Sequence, residues 1–178
     1  AIDGIPTALN ICEDRWIEGA AAEQCAAGDE IKIALNISAS PLHAGKLAQR
    51  REILSGFGKR TGTFVCYNNL VGGQDELVFD GGSLIVGPQG ELIANAKRFE
   101  EDLLIADIEP TSASGPQSSE LGRLEEIYKA LVLGTGDYIR KNGFEKVVIG
   151  LSGGIDSSLT AAIAVDALGK DNVIGVTM

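Results

Sequence analysis

Lys146-Val147-Val148-Ile149-Gly150-Leu151-Ser152-Gly153-Gly154-Ile155-Asp156-Ser157-Ser158 decides how the second half of this chain folds. Lys146 to Leu151 is an apolar, β-branched run that reads as a buried strand. Ser157 to Leu168 follows as a helix stopped by Gly169, and Val173 to Thr177 as a second strand. Strand, helix, strand is one βαβ unit of a parallel sheet, which makes this part α/β. Between strand and helix, Ser152-Gly153-Gly154 lets backbone N–H groups approach an anion without interference from Cβ atoms. The helix N-terminus behind it adds unpaired donors and a partial positive charge. Ser152, Ser157 and Ser158 supply hydroxyls, and Asp156 suits an anion site that also carries a cation, pointing to Mg2+. The lysine of the G-x-x-x-x-G-K-[ST] phosphate loop is missing. The competing reading is a plain glycine turn with Ser or Asp capping the helix.

Working back from the loop, Leu124, Ile127, Tyr128, Leu131, Tyr138 and Ile139 recur at helical spacing until Asn142-Gly143. Gly134 and Gly136 each cost such a helix about 1 kcal/mol, so packing must hold it. Thr111 to Ser119 has the Ser, Gly and Pro content of a linker. Residues 1–110 read as strands and turns with few helices. Strands are expected at Pro6–Ile11, Ile31–Ile37, Thr63–Asn68, Ser83–Val86, Leu92–Ala94 and Leu103–Ile108, the last one buried. Helices are expected over Glu18–Gly28 and, as a basic helix with Leu47, Ile53, Leu54 and Phe57 inward, over Gly45–Thr61. The chain thus divides at 1–110, 111–121 and 122–178.

Cys12 stands where an apolar strand gives way to Glu13-Asp14-Arg15. A thiol at that corner is open to a cleft and can act as a nucleophile, although two adjacent carboxylates disfavour the thiolate. Such a site needs a base and a nearby cation from elsewhere in the fold. From the residues alone, a buried structural cysteine competes with this reading. Cys25 and Cys66 lack polar company and read as core, and His43 reads as a loop residue. Asp75-Glu76 and Asp80-Gly81-Gly82 read as turns, with no catalytic role.

The composition bounds the function. Of 178 residues, 44% are hydrophobic and 22% charged, a balance that builds a core. No apolar run has the length of a membrane span. A net charge of -10 repels phosphate backbones, so no nucleic-acid partner is expected. Three cysteines without CxxC or zinc spacing fit a reducing, cytoplasmic setting. The chain opens on Ala1 without a Met and stops inside an apolar run, so it reads as a segment of something longer.

Two resemblances sharpen these readings. The loop resembles the SGGxDS signature of the adenine-nucleotide α-hydrolase-like superfamily. With Tyr128-Lys129-Ala130-Leu131-Val132-Leu133-Gly134, Asp137-Tyr138 and Lys141-Asn142-Gly143-Phe144 it looks like the start of an NAD+ synthetase domain. Ile11-Cys12-Glu13-Asp14-x-Trp16 is similar to the nucleophile motif of the carbon–nitrogen hydrolase (nitrilase) superfamily. Asn36 to Lys46, Val71 to Ser83 and Phe99 to Leu104 look like segments of that superfamily in glutamine-dependent NAD+ synthetases.

The resemblance implies the C-terminal part of a nitrilase-type α-β-β-α sandwich followed by the start of a doubly wound parallel sheet. It implies a glutaminase in which Cys12 forms a thioester and Ser40 and Lys46 bind glutamine. The family's general-base Glu and oxyanion Lys lie upstream of the Cys, so they fall before Ala1. The loop Gly150, Leu151, Ser152, Gly153, Gly154, Ile155, Asp156 and Ser157 would bind ATP, with Asp156 a ligand to Mg2+. Glutamine, ATP and deamido-NAD+ are then the substrates, and a homo-oligomer is expected. The linker is shorter than the family leads one to expect. This chain alone is expected to catalyse neither half-reaction. Two other classes stay open: a different amidotransferase or thiolase built on the same ATP loop, and a nucleotide-binding regulatory module in which Cys12 only packs.

Overall fold

Strands Thr7–Ile11 (β1), Ile33–Ser38 (β2) and Phe64–Asn69 (β3) turn every second residue toward one packed face. A computed structural model shows this, and it describes residues 1–15, 21–26, 30–109 and 112–177. Between these strands lie helices Ala21–Ala26 (α1) and Lys46–Thr61 (α2). The chain continues through Val71–Gln74 (β4), Leu77–Asp80 (β5), Leu84–Val86 (β6), Leu92–Asn95 (β7), Asp107–Glu109 (β8) and Ser112–Ser114 (β9). It then forms Arg123–Lys141 (α3), Val147–Leu151 (β10), Ile155–Leu168 (α4) and Val173–Thr177 (β11).

The chain separates into two compact units. The first comprises Ala1–Val71 and Phe79–Ser119; the second comprises Gly72–Val78 and the residues from Glu120 onward. In the first, five strands lie in the order β1-β2-β3-β6-β7, with β1, β2 and β3 parallel and β6 and β7 antiparallel. Leu54 and Phe57 of α2 pack with Ala8, Ala34, Val65, Tyr67, Leu84 and Val86 into the main core. A smaller cluster of Ile85, Ile93 and Ala94 gathers Cys66, Leu104, Ala106, Ile108 and Ala113.

Three expectations need correction. The Leu103–Ile108 run is not a buried strand: only Asp107–Glu109 pairs, and Leu103 and Ile105 are 81% and 70% exposed. Alternate residues Leu104, Ala106 and Ile108 pack inward, so one side of the run is covered and the other is not. Cys25 is exposed rather than core, because α1 turns it away from buried Ala26. Ser112–Ser114, inside the segment of linker composition, pairs antiparallel with β8. The ends of the helix expected over Glu18–Gly28 lie outside the described residues.

In the second unit β10 and β11 run parallel with α4 between them, as the loop's flanks predict, and α4 begins at Ile155, two residues early. The β4–β5 hairpin turns at Asp75 and docks on α3. No helix among the described residues is long and apolar enough to cross a membrane.

Candidate functional site

The packed face of the first sheet changes character along its strands. Ala8, Ala34 and Val65 lie toward the strand starts; Asn10, Asn36, Ser38, Tyr67 and Asn69 follow toward the C-terminal ends, all at most 6% exposed. In open α/β sheets ligands bind beyond those ends. Buried polar groups are expensive unless bonded. Asn36 Nδ2 donates to Asn10 Oδ1 at 2.8 Å, and Ser38 Oγ donates to Asn36 Oδ1 at 2.5 Å. Sequence reasoning passed over these residues; their signal is polar side chains at inward positions of a period-two pattern.

Cys12 opens a 3-10 helix, Cys12–Arg15, directly after β1. Its φ of 45° lies in the left-handed region, a strained corner for a non-glycine residue. Two bonds hold it: Asn36 Nδ2 donates to the Cys12 carbonyl at 3.4 Å, and Asp14 Oδ2 accepts the Ile11 N–H at 2.8 Å. One of the two carboxylates that disfavour a thiolate is therefore occupied by the backbone. Cys12 itself is half-buried.

A cation within electrostatic reach of this corner is on α2. Lys46, the first residue of that helix, interacts electrostatically with both Cys12 and Glu13. Burial draws the Lys46 ammonium below its ordinary pKa, helped by Arg50; Cys12, Glu13 and Asp80 pull the other way. Ser40 is 3% exposed and does not cap α2, whose N-cap is Gly45 at φ 82°. Its N–H donates to Asn69 Oδ1 at 2.9 Å. Burial raises the Tyr67 pKa, with Arg50, Ser38 and Ser40 acting against it. Lys46 thus lies within electrostatic reach of Cys12 and of Arg50, and Arg50 bonds the Ser40 carbonyl at 3.0 Å. His43 is an exposed loop residue whose Nδ1 lies 3.0 Å from the Ala44 carbonyl. Asp75 and Asp80-Gly81-Gly82 lie at turns, as expected, but Asp80 is also wholly buried against Arg50 and Arg98.

In the second unit the loop between β10 and α4 is open. Gly153 takes φ +82°, and a Cβ built there meets nothing within 4 Å. Gly154 is the N-cap of α4 and has no side chain to cap it; its own N–H donates to Ser152 Oγ at 3.4 Å. Ser157 Oγ and Ser158 Oγ donate to the Gly154 carbonyl at 3.0 and 2.9 Å, and Ser152 Oγ lies 3.3 Å from Ser157 Oγ. The first turn of α4 is thus exposed, with the Ser152, Ser157 and Ser158 hydroxyls beside the helix start, where backbone N–H groups lack intrahelical partners. Asp156 is exposed beside it. Among the described residues no three His, Cys, Asp or Glu side chains cluster as a metal site. A lone carboxylate suits Mg2+ held mainly by phosphate oxygens and water.

The model of the carbon–nitrogen hydrolase family matches residues 2–115, and that of the NAD synthase family matches residues 127–178. A glutamine-dependent NAD(+) synthetase of Aquifex aeolicus is 41% identical over 212 aligned positions, covering 99% of this chain and 37% of the relative. That of Synechocystis is 43% identical over 183 positions, covering 96% and 33%. Among solved structures, glutamine-dependent NAD+ synthetase from Acinetobacter baumannii in complex with adenosine diphosphate superposes with a TM-score of 0.90 at 39% identity. It is matched over 97% of this chain and 33% of its own. The enzyme from Cytophaga hutchinsonii gives 0.66 at 29% identity, over 93% and 27%. The chain therefore spans about a third of the length of the relatives it matches.

Proposed function

This chain belongs to the carbon–nitrogen hydrolase family and carries the start of an NAD synthase domain, and on that premise we propose that its parent protein amidates deamido-NAD+ with ammonia drawn from glutamine. The boundaries we propose are a glutaminase portion over 1–110, a linker over 111–121 and a synthetase portion over 122–178. The division of compact units between Ser119 and Glu120 falls inside that linker, whereas Gly72–Val78 groups with the second unit.

The observation that carries the reading is Cys12 at a strained corner just past β1, its carbonyl bonded by the buried Asn36, with Lys46 within electrostatic reach. The thiolate form of a cysteine is the nucleophile in such chemistry. Cys12 Sγ attacks the side-chain carbonyl of glutamine, ammonia leaves, and water cleaves the thioester to release glutamate. Ser40 and Lys46 hold the substrate, the ammonium facing its carboxylate. We assign neither the general base nor the oxyanion Lys to a residue of this chain.

In the second unit, the loop Gly150 to Ser157 binds ATP. The backbone N–H groups around Gly153 and Gly154 and the hydroxyls of Ser152 and Ser157 receive the phosphates. Asp156, exposed in the first turn of α4, is the carboxylate that would hold Mg2+ there. When bound, that ion neutralises charge on the pyrophosphate as it leaves. The deamido-NAD+ carboxylate takes the AMP moiety of ATP, and ammonia then displaces AMP. Three free thiols and the adenine-nucleotide substrate suit the cytoplasm.

Acid quenching of the full-length parent during glutamine turnover tests the first step. The peptide containing Cys12 is expected to carry a γ-glutamyl thioester by mass spectrometry. Steady glutamine hydrolysis with Cys12 unmodified, or hydrolysis that survives Cys12→Ala, contradicts the assignment.

A further inference from the structure

Ser40 and Lys46 come from different elements, a loop and the first turn of α2, yet one ligand requires them at a fixed separation. A single side chain reaches both regions. Arg50 follows Lys46 by four residues on α2, which places the two on one helix face. Its guanidinium, 1% exposed, donates through Nη2 to the Ser40 carbonyl at 3.0 Å. Asp80, fully buried, takes the fork of Arg50 at 2.7 and 3.2 Å. Arg98 braces the same carboxylate through Nε and Nη2 at 2.9 and 2.8 Å. On the other side Asn69 accepts the Ser40 N–H at 2.9 Å and donates to the Gly81 carbonyl at 2.9 Å. Both backbone polar groups of Ser40 are thus fixed by buried side chains. Three charges in a dry interior are costly, and an apolar core serves stability as well, so the arrangement calls for a role in position.

We propose that Arg50 is a positioning residue for glutamine: held by Asp80, it sets Ser40 at a fixed distance from Lys46 so that both meet the amino-acid end of the substrate while Cys12 attacks the other. The proposal rests on the reading of Ser40 and Lys46 as glutamine contacts. It predicts a defect in binding and none in the chemistry at the thiol. Lys46 also feels the charges of Arg50 and Asp80, which places the three within one electrostatic neighbourhood.

The test uses the full-length parent and a chloroketone analogue of glutamine, whose inactivation kinetics separate binding (KI) from alkylation of Cys12 (kinact). Arg50→Lys supplies a point charge without the planar fork, so it cannot hold Asp80 and Ser40 together. The expected result is a rise of about tenfold in KI and in the glutamine KM, with kinact within about twofold of wild type. Labelling of Cys12 by iodoacetamide, which has no amino-acid end, and ammonia-driven NAD+ formation stay unchanged. An unchanged KI, or a fall in kinact with or without a change in KI, overturns the proposal. Should Arg50→Lys lose iodoacetamide labelling and ammonia-driven turnover together, it has not folded, and Asn69→Ser decides. A rise in KI alone in that variant supports the proposal; an unchanged KI overturns it. Wild-type parent that the chloroketone fails to inactivate at Cys12 overturns the glutaminase reading itself, and this proposal with it.

Discussion

The carboxylate of Asp137 on α3 accepts the backbone N–H of Gly73 at 2.8 Å, joining residues 64 apart in sequence and fastening the β4–β5 hairpin to that helix. Lys141 completes the clamp by donating to the Gly73 carbonyl at 2.5 Å and pairing with Asp137 at 3.2 Å. The close approach explains the two neighbouring glycines of the hairpin. A Cβ on Gly73 would lie 3.1 Å from Gly134 Cα and 3.1 Å from Asp137 Cβ.

Acid should loosen this clamp. Burial pushes the Asp137 carboxyl upward, but the Gly73 N–H, Lys141 and Arg140 outweigh it and leave its pKa below the ordinary 3.8. A carboxyl depressed in the folded state stabilises above its unfolded pKa, and the contribution is lost as pH falls through the folded value. Asp137→Asn is therefore expected to cost about 1–2 kcal/mol near pH 7 and to flatten the acid limb of stability below about pH 4. Thermal denaturation of the two proteins from pH 2 to 7 measures it; parallel profiles would refute the clamp.

Two glycines in α3 should respond oppositely to alanine. Replacing a mid-helix glycine ordinarily gains about 1 kcal/mol. At Gly134 the new Cβ meets Val78 Cγ2 at 3.0 Å, in the packed hairpin, so Gly134→Ala is expected to cost about 1–3 kcal/mol. At Gly136 the nearest atoms are those of the Arg140 guanidinium, a flexible end that moves aside at the loss of its bonds to the Ala167 carbonyl and Asp137, so Gly136→Ala is expected to be neutral or to gain less than about 1 kcal/mol. Urea denaturation of both variants reads the sign of each.

Glutamine affinity should have an alkaline limb. Lys46 loses its proton below the ordinary 10.5, chiefly through burial. Only the ammonium holds a carboxylate, so the glutamine KM should be flat near neutrality and climb before pH 10.5 is reached. Lys46→Arg keeps its charge throughout and should abolish the climb, whereas Lys46→Met should raise KM about tenfold or more at pH 7.5. Initial rates against pH for the three proteins test this.

The open loop before α4 depends on a left-handed glycine. Gly153→Ala meets no atom but must hold φ near +82°, which costs about 1–2 kcal/mol. The expected result is an ATP KM raised about tenfold with the glutaminase reaction unaffected; an unchanged KM would remove Gly153 from the nucleotide site.

Much of this was legible from local pattern. The βαβ unit and its loop follow from an apolar run, two glycines and a helix stopped by Gly169, and the β4–β5 turn follows from Asp75-Glu76 after Gly72-Gly73-Gln74 and before Leu77-Val78-Phe79. The Leu103–Ile108 run misled because hydrophobicity does not say how many sides of a strand are covered. Arg50 was hidden for the opposite reason. A charged residue on a basic helix is expected in solvent, yet Arg50 shares a face with buried Leu54 and Phe57 at spacings of four and seven. That spacing was readable; its partner Asp80, 30 residues on in a turn, was not. Pairings such as Gly73 with Asp137 are tertiary and leave no local trace beyond a glycine, Gly134, inside a helix.

The most direct test of the two-centre account supplies the full-length parent with glutamine, Mg·ATP and deamido-NAD+ and follows NAD+ and AMP together. The account predicts equal amounts of both, and a Cys12→Ala protein that makes NAD+ only when ammonia is added. NAD+ formation from glutamine by Cys12→Ala, or glutamine hydrolysis by a folded enzyme that makes neither NAD+ nor AMP, would contradict it.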